Sequence, residues 1–287
     1  MATLLYTLIT GASAGFGKAL ATECARRQQN LILVALPGDD LPRLAEDLRR
    51  RFGVAVHSIE QDLCQEAGCG AVFDQVRAAG LQVNMLVNNA GIGSTAPFGE
   101  RSSALYEQQI KLNVLATTLL THLFLDMLKR NQPSYLLNVG SLACFFALPQ
   151  KQVYGATKSF VYYFSRSLCR ELKPVGVHVS VLCPGGMFTN GEITALIAAS
   201  GYLSRRSCLT PEQAAPAALD GLLARREVIV PGRLNRCFLL LHVLLPRFIQ
   251  SIILNSTLHR PAAGRRPVAA AAFAPAPVYE SPLSPAY

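Results

Sequence analysis

The chain has 287 residues, of which 51% are hydrophobic and 16% are charged, and its net charge is +9. This composition excludes a wholly disordered protein and predicts one large domain or two small ones. We predict no ordinary transmembrane helix, because no apolar run reaches the length of about 20 residues that a span needs. No basic segment precedes the apolar run at residues 4–9, so we expect no signal peptide.

The eight cysteines are scattered without the paired spacing of zinc ligands or of a disulfide scaffold. We therefore predict reduced thiols, no metal site and a cytoplasmic protein.

Short apolar runs alternate with longer amphipathic runs over the first 230 residues. The predicted strands cover residues 4–10, 31–36, 55–60, 85–87, 135–139, 177–182 and 228–230. The predicted helices cover residues 16–28, 40–52, 66–79, 103–130, 151–173 and 211–224. Strict alternation predicts an α/β domain with a doubly wound parallel sheet of about seven strands and helices on both faces.

Local signals mark several helix ends. Gly53 and Gly80 stand where the second and third helices should stop, as glycine commonly does after a helix. Thr210, Pro211 and Gln213 have the spacing of an N-cap, a first-turn proline and a capping-box partner, so they predict the start of the last of these helices.

The character of the chain changes after residue 232. We divide it into the α/β domain (1–232), an apolar helix pair broken at Pro246 (233–260) and an Ala/Pro-rich flexible tail (261–287). Ten arginines but only four acidic residues fall between 205 and 287, which suits either an anionic partner or a solvated basic face. The helix pair either lies in a membrane interface or packs as a lid or dimer contact, and we favour the second interpretation.

A glycine-rich segment, TGASAGFG at residues 10–17, follows the first predicted strand and opens the first predicted helix. Such glycines permit a tight turn, a close approach of the backbone to a pyrophosphate, and close helix–strand packing. The helix N-terminus then offers N–H groups to the phosphates. The segment predicts a dinucleotide site.

Two further motifs accompany it, NNAG at residues 88–91 and a tyrosine four residues before a lysine, Tyr154 and Lys158. Together the three motifs resemble the short-chain dehydrogenase/reductase family over roughly residues 3–231. The resemblance implies a Rossmann-like fold and an NAD(P)-dependent oxidoreductase that interconverts alcohols and carbonyls. The alternative is a non-catalytic dinucleotide-binding regulator or scaffold with the same fold.

The resemblance also implies the cofactor contacts. Asp62 and Leu63 should bracket the adenine, residues 89–91 should line the ribose, and Pro184, Gly185 and Thr189 should hold the nicotinamide carboxamide. The full set of implied contacts is Gly11, Ser13, Ala14, Gly15, Phe16, Gly17, Asp62, Leu63, Asn89, Ala90, Gly91, Tyr154, Lys158, Pro184, Gly185 and Thr189.

The choice between NAD and NADP depends on the end of the second strand. NAD-preferring relatives usually carry an Asp there, and NADP-preferring relatives usually carry a basic residue just beyond it or before the second motif glycine. This chain has Ala35 and Leu36 at the first place and Ala14 at the second. Ala35 slightly favours NADP because it removes repulsion of a 2′-phosphate, whereas Asp39 and Asp40 offer acceptors for the hydroxyls of NAD.

Four residues match the family's catalytic set: Asn113, Ser141, Tyr154 and Lys158. Tyr154 and Lys158 lie one helical turn apart. The pKa of a phenol is about 10 in water, and a nearby ammonium together with the positive nicotinamide is expected to lower it. The resemblance makes Tyr154 the acid–base group, Ser141 a hydrogen-bond donor to the substrate oxygen, and Asn113 the positioner of a water near Lys158.

The segments expected to wall the substrate pocket are apolar. They are residues 142–146 and the side chains of Ile193, Leu196, Ile197, Tyr202 and Leu203. They predict an apolar ketone, aldehyde or secondary alcohol, although some of them can equally be core. The resemblance implies a homodimer or homotetramer formed through the long helices at 103–130 and 151–173. We expect no nucleic-acid partner, and membrane contact only through 233–260.

Overall fold

A computed structural model describes residues 4–38, 40–188 and 202–244. Its centre is a seven-stranded sheet with the order β3-β2-β1-β4-β5-β6-β7. The strands are β1 Leu5–Thr10, β2 Asn30–Ala35, β3 Val56–Glu60, β4 Gln82–Asn88, β5 Ser134–Val139, β6 Val177–Leu182 and β7 Val228–Ile229. Every pairing is parallel. This confirms the predicted doubly wound, Rossmann-like sheet.

Helices connect successive strands. They are α1 Gly15–Arg26, α2 Leu41–Phe52, α3 Gly68–Ala78, α4 Ser103–Ile110, α5 Thr117–Arg130, α6 Gln152–Leu172, α7 Tyr202–Ser207, α8 Pro211–Leu223 and α9 Arg233–Leu244. One difference from the sequence prediction lies between α4 and α5. The regular helix expected over residues 103–130 contains a π-helical segment, Lys111–Ala116, which shifts the phase of the helix at Asn113.

Both faces of the sheet are buried, each in its own apolar cluster. Ile9, Leu31 and Leu33 pack against α1, α2 and α8 on one face. Leu8 and Ile32 pack against α3 and α5 on the other. Because successive side chains enter opposite clusters, these strands lack the polar alternation of a half-exposed sheet, as the apolar runs in the sequence indicated.

The predicted helix signals are also present. Gly53 adopts φ +70° and its N–H donates to the carbonyl oxygen of Arg49, so this glycine ends α2 in a left-handed conformation that other residues adopt with strain. At the start of α8, Thr210 and Gln213 form the reciprocal bonds of a capping box.

The helix Ser103–Arg130 is, among the described residues, the one long and apolar enough to cross a membrane, with a mean hydropathy of 1.2. Its Leu120, Phe124 and Leu128 are buried in the cluster between α3, α5 and the sheet. It therefore serves as a core helix of the α/β domain.

The first helix of the apolar C-terminal segment, α9, packs on the α/β domain. Asn235 is buried, and its Nδ2 donates to the carbonyl oxygens of Ser207 at 3.0 Å and Pro231 at 2.9 Å. Leu239 packs against Val161 and Val181. The predicted break at Pro246, the second helix and the tail lie outside the described residues.

Two leucines near the start of the chain offer a test of core packing. Leu8 of β1 is fully buried, and we expect Leu8→Ala to lower the free energy of unfolding by about 2–5 kcal/mol through lost burial and a cavity. Leu4 is 60% exposed, so Leu4→Ala should change it by less than about 0.5 kcal/mol. Urea denaturation measures both. Equal losses in the two variants would contradict the assigned register of β1.

Candidate active site

The glycine-rich loop after β1 is fastened to the segment after β4. The N–H groups of Asn89 and Ala90 both donate to Thr10 Oγ1 at 3.0 Å. In return, Asn89 Nδ2 donates to the carbonyl oxygens of Thr10 at 2.8 Å and Gly11 at 3.1 Å. The two predicted motifs therefore form one rigid unit at the carboxyl edge of the sheet.

Two glycines in this unit allow close backbone approach. A Cβ added to Gly11 would lie 2.9 Å from Ala90 Cα, and one added to Gly17 would collide with the carbonyl oxygen of Gly11. The loop can therefore pack directly against the neighbouring backbone, and this close packing leaves room for a ligand above the loop.

The start of α1 suits a pyrophosphate. The helix begins at Gly15, Ala14 gives no side-chain cap, and the first turn holds no acidic residue. Its N–H groups and positive dipole end can therefore serve an anion. Ser13 lies half-buried in the same loop, whereas the Phe16 side chain is buried in the core, so Phe16 borders the site only through its backbone.

The other implied cofactor residues lie at the ends of neighbouring strands. Asp62 follows β3, and its Oδ1 accepts a hydrogen bond from Cys64 N at 2.8 Å. Leu63 is buried in the core. Pro184 and Gly185 follow β6, and Thr189 lies outside the described residues. In a parallel α/β sheet this edge is where ligands bind, so the residues present fit a dinucleotide.

Lys158 and Tyr154 meet on α6 at the same edge. Lys158 is buried, its Nζ donates to the carbonyl oxygen of Val139 at 2.8 Å, and it lies 5.9 Å from the centroid of the Tyr154 ring. Ser141 stands directly after β5 and hydrogen-bonds Tyr154. Its Oγ also accepts from Ala143 N at 3.1 Å.

Asn113 joins this group from the π-helical segment. Its Oδ1 accepts from Ile92 N at 2.9 Å, and its Nδ2 donates to Ile92 O at 2.9 Å and to Thr157 Oγ1 at 3.0 Å. Gly91 lies between Asn113 and Lys158: a Cβ added there would be 3.0 Å from Asn113 Oδ1 and 3.2 Å from Lys158 Nζ. The structure thus brings together all four residues of the predicted catalytic set.

Burial dominates the electrostatics of this group. It lowers the pKa of Lys158 from 10.5 to about 8. It raises the pKa of Tyr154, and the hydrogen bond from Ser141 offsets part of that rise. The lowering of the Tyr154 pKa by Lys158 and a positive nicotinamide together stays a prediction, because burial is the largest influence on this pKa in the protein without cofactor.

Cys144 and Cys183 lie behind Ser141 with their sulfur atoms 4.0 Å apart. The hydrogen bond with Cys144 and burial both raise the pKa of Cys183, so this thiol stays protonated at neutral pH. The pair fills space, as the sequence indicated for Cys144. Leu142 and Phe145, expected in the pocket wall, pack partly against the same small cluster.

Sequence reasoning missed three residues near this edge. Thr157 links Tyr154 O and Asn113, and its position one turn after Tyr154 was the available signal. Lys151 lies at the N-cap of α6, three residues before Tyr154, and burial lowers its pKa. Asn235 reaches the site from α9: a Cβ on Gly185 would lie 2.6 Å from its Oδ1, which has no hydrogen-bond partner among the described residues. No sequence pattern links Asn235 to Gly185.

Comparison with known proteins gives a consistent family. A model of the short chain dehydrogenase family matches residues 6–195. The 3-oxoacyl-(acyl-carrier-protein) reductase of Aquifex aeolicus is 28% identical over 191 residues, which cover 67% of this chain and 76% of that protein. The 17-beta-hydroxysteroid dehydrogenase type 3 of Mus musculus is 31% identical over 188 residues, covering 64% of this chain and 60% of that protein.

Solved structures agree. A short-chain dehydrogenase from Sphingobium yanoikuyae in complex with NADPH has 29% identity and a TM-score of 0.72, covering 92% of this chain and 99% of that one. The bulky-bulky ketone specific alcohol dehydrogenase from Comamonas testosteroni has 25% identity and a TM-score of 0.71, covering 92% and 98%.

The depressed pKa of Lys158 makes stability depend on pH. Because this pKa is about 8 in the folded protein and 10.5 ordinarily, the unfolded chain binds more protons between those values. The free energy of unfolding should therefore rise with pH across that window relative to Lys158→Met, which has no proton to lose. Chemical denaturation at several pH values measures the difference.

Lys129→Met is the matched control, because Lys129 is 40% exposed on α5. The difference between the unsubstituted protein and Lys158→Met should change with pH by more than the corresponding difference for Lys129→Met. Equal changes for the two variants would show that Lys158 is not desolvated.

Proposed function

Since the chain belongs to the short-chain dehydrogenase family and to its NAD(P)-dependent oxidoreductases acting on CH–OH and C=O groups, we propose that Tyr154 is its acid–base group and that its substrate is apolar. The observation that carries the proposal is the convergence of Ser141, Tyr154 and Lys158 beside the glycine-rich loop. These three residues come from the end of β5 and from α6, and they offer two hydroxyls and an ammonium at one place.

The chemistry divides between cofactor and chain. The nicotinamide supplies the hydride when it is bound. Tyr154 gives its hydroxyl proton to the carbonyl oxygen, and in the reverse direction takes the alcohol proton. The Ser141 hydroxyl donates a hydrogen bond to the same oxygen and stabilises the negative charge that develops there. Lys158 in its ammonium form favours the phenolate that Tyr154 becomes after giving up its proton.

The cofactor site consists of the loop at residues 10–17 with the start of α1 for the pyrophosphate, Asp62 and Leu63 for the adenine, and residues 89–91 for the ribose. Asn113 and Thr157 hold the segment after Gly91 in place through Ile92 and Tyr154. Ala35 taken alone slightly favours NADP, because it carries no charge to repel a 2′-phosphate.

An apolar substrate is supported by the chain after Ser141. Leu142, Cys144 and Phe145 are half-buried there, and Phe145 makes an edge-to-face contact with Tyr162 at 4.8 Å. Three similar proteins carry names of long-chain, steroid or bulky substrates: a very-long-chain 3-oxoacyl-CoA reductase from Anas platyrhynchos, the mouse steroid dehydrogenase and the Comamonas ketone enzyme. Another, from Chromohalobacter salexigens, is named a sulfoacetaldehyde reductase, so the proposal depends on the side chains after Ser141. Of the second predicted wall, Ile193, Leu196 and Ile197 lie outside the described residues, and Tyr202 and Leu203 begin α7.

We also infer a homodimer, or a tetramer built from it, formed through the long helices. Large apolar side chains remain exposed along them: Ile110 at 50%, Leu115 at 48%, Phe160 at 41% and Tyr163 at 66%. An apolar surface of this kind is usually covered by a partner. The eight free cysteines support a reducing, cytoplasmic location. Membrane contact through residues 233–260 remains the alternative role of that segment.

Tyr154→Phe should reduce kcat by at least about 100-fold, because it removes the transferable proton and keeps the ring. The dissociation constant of the nicotinamide cofactor, measured by fluorescence titration, should change by less than about threefold, since the variant keeps the aromatic ring. Tyr163→Phe on the exposed face of the same helix is the control and should leave both values unchanged. Full turnover by Tyr154→Phe would assign the acid–base role elsewhere. A protein that binds cofactor but reduces no carbonyl would instead support the regulator or scaffold alternative.

The oligomer has its own test. Phe160→Glu combined with Tyr163→Glu places two charges on the exposed face of α6, where burial in an interface would be costly. Sedimentation velocity should show smaller particles for this variant than for the unsubstituted protein. Phe98→Glu, at a side chain 60% exposed outside these helices, should leave the particle size unchanged. Identical sedimentation of all three proteins would exclude this interface.

A further inference from the structure

β2 ends without an acidic residue, but an acidic residue of the neighbouring strand β3 lies beside its end. Ala35 occupies the position at which NAD-preferring relatives carry an acid, and its partner across the parallel pair is Glu60, the last residue of β3. Adjacent strands lie about 4.8 Å apart. The backbone of Glu60 therefore lies one strand spacing from Ala35 and level with it along the strands.

The side chain of Glu60 turns towards that position. Its Oε1 accepts a hydrogen bond from Gly38 N at 3.2 Å, in the turn that follows β2. The two strand ends are kept in register by Gln61 N, which donates to the carbonyl oxygen of Ala35 at 2.8 Å. A Cβ on Gly38 would meet none of the described residues within 4 Å, so the described part of the turn leaves room for a ligand on this side. The carboxylate thus binds a backbone amide that would otherwise be available to an external anion.

The charges around this turn oppose a second phosphate. Asp40 lies at the start of α2 and pairs with Arg43 at 3.6 Å. Arg43 is the only basic side chain among residues 36–38 and 40–43, and the Arg43 side chain is 86% exposed. The described part of the turn therefore presents two carboxylates and one arginine that is already paired.

We propose that Glu60 is the residue that selects NAD over NADP, accepting hydrogen bonds from the adenosine ribose hydroxyls and repelling a 2′-phosphate. This inference rests on the proposed function, which binds a dinucleotide with its adenine at Asp62 and Leu63 after β3, and it adds that the adenosine ribose hydroxyls reach the ends of β2 and β3. It reverses the slight preference that Ala35 alone would give. A phosphate monoester carries about two negative charges at neutral pH, so a facing carboxylate discriminates strongly against it.

The test measures cofactor binding directly, without turnover. NADH and NADPH are titrated separately into the full chain, into Glu60→Gln and into Glu171→Gln, and the dissociation constants are obtained from cofactor fluorescence. Glu171 is an exposed acid near the end of α6, next to the opposite edge of the sheet, so its substitution makes the same change in net charge away from the site.

We expect the unsubstituted protein to bind NADH at least about tenfold more tightly than NADPH, a difference of about 1.4 kcal/mol. Glu60→Gln should reduce this ratio by about five- to tenfold, mainly through tighter binding of NADPH. Glu171→Gln should keep the original ratio. Glu60→Arg, which adds a cation at the same place, should reverse the preference. Circular dichroism melting shows whether each variant is folded.

Two results would overturn the inference while leaving the proposed function intact. One is a native preference for NADPH, or equal binding of both cofactors. The other is a ratio that Glu60→Gln and Glu171→Gln change equally. If the folded protein binds neither cofactor, the proposed function fails, and the inference fails with it.

Discussion

A parallel sheet buried on both faces leaves few places where polar groups can be satisfied, and the rest of the molecule is arranged around this constraint. Inside the sheet, Asn88 Nδ2 donates to Asn138 Oδ1 at 2.9 Å, and Asn138 Nδ2 donates to Ser165 Oγ at 2.9 Å. This chain of amides ties β4, β5 and α6 together just below the carboxyl edge. Asn89 directly follows Asn88, and Ser141 lies three residues after Asn138. The buried network therefore fixes the positions of these two site residues.

Much of this could be predicted from the sequence because it depends on local pattern. Buried strands are continuous apolar runs, and Gly53 and Thr210 carry their helix-end signals within a few residues. The π-helical turn at Asn113 escaped prediction because one extra residue per turn does not disturb an apolar pattern enough to be noticed. Asn235 and Glu60 escaped because their importance comes from contacts with Gly185 and Gly38, which only the folded chain brings near.

Tyr154 and Lys158 illustrate why residue identity alone does not settle electrostatics. Their spacing on the helix correctly indicated that the two side chains lie close together. In the protein without cofactor, however, desolvation sets the direction in which the pKa of Tyr154 moves. Burial pushes the phenol and the ammonium each towards its neutral form. A pKa of about 8 still leaves Lys158 mostly an ammonium at neutral pH, whereas the raised pKa of Tyr154 keeps its phenol protonated, so the pair rests in the form that can give a proton.

The contact between Gly185 and Asn235 has a consequence for how this sequence can change over time. Any side chain at position 185 would overlap the amide of Asn235, whose Nδ2 is already committed to Ser207 and Pro231. A larger residue at 185 therefore becomes tolerable only together with a smaller one at 235, and the smaller one gives up both hydrogen bonds. Two positions in separate parts of the chain are thereby expected to covary in evolution, and α9 is inherited together with the segment that follows β6.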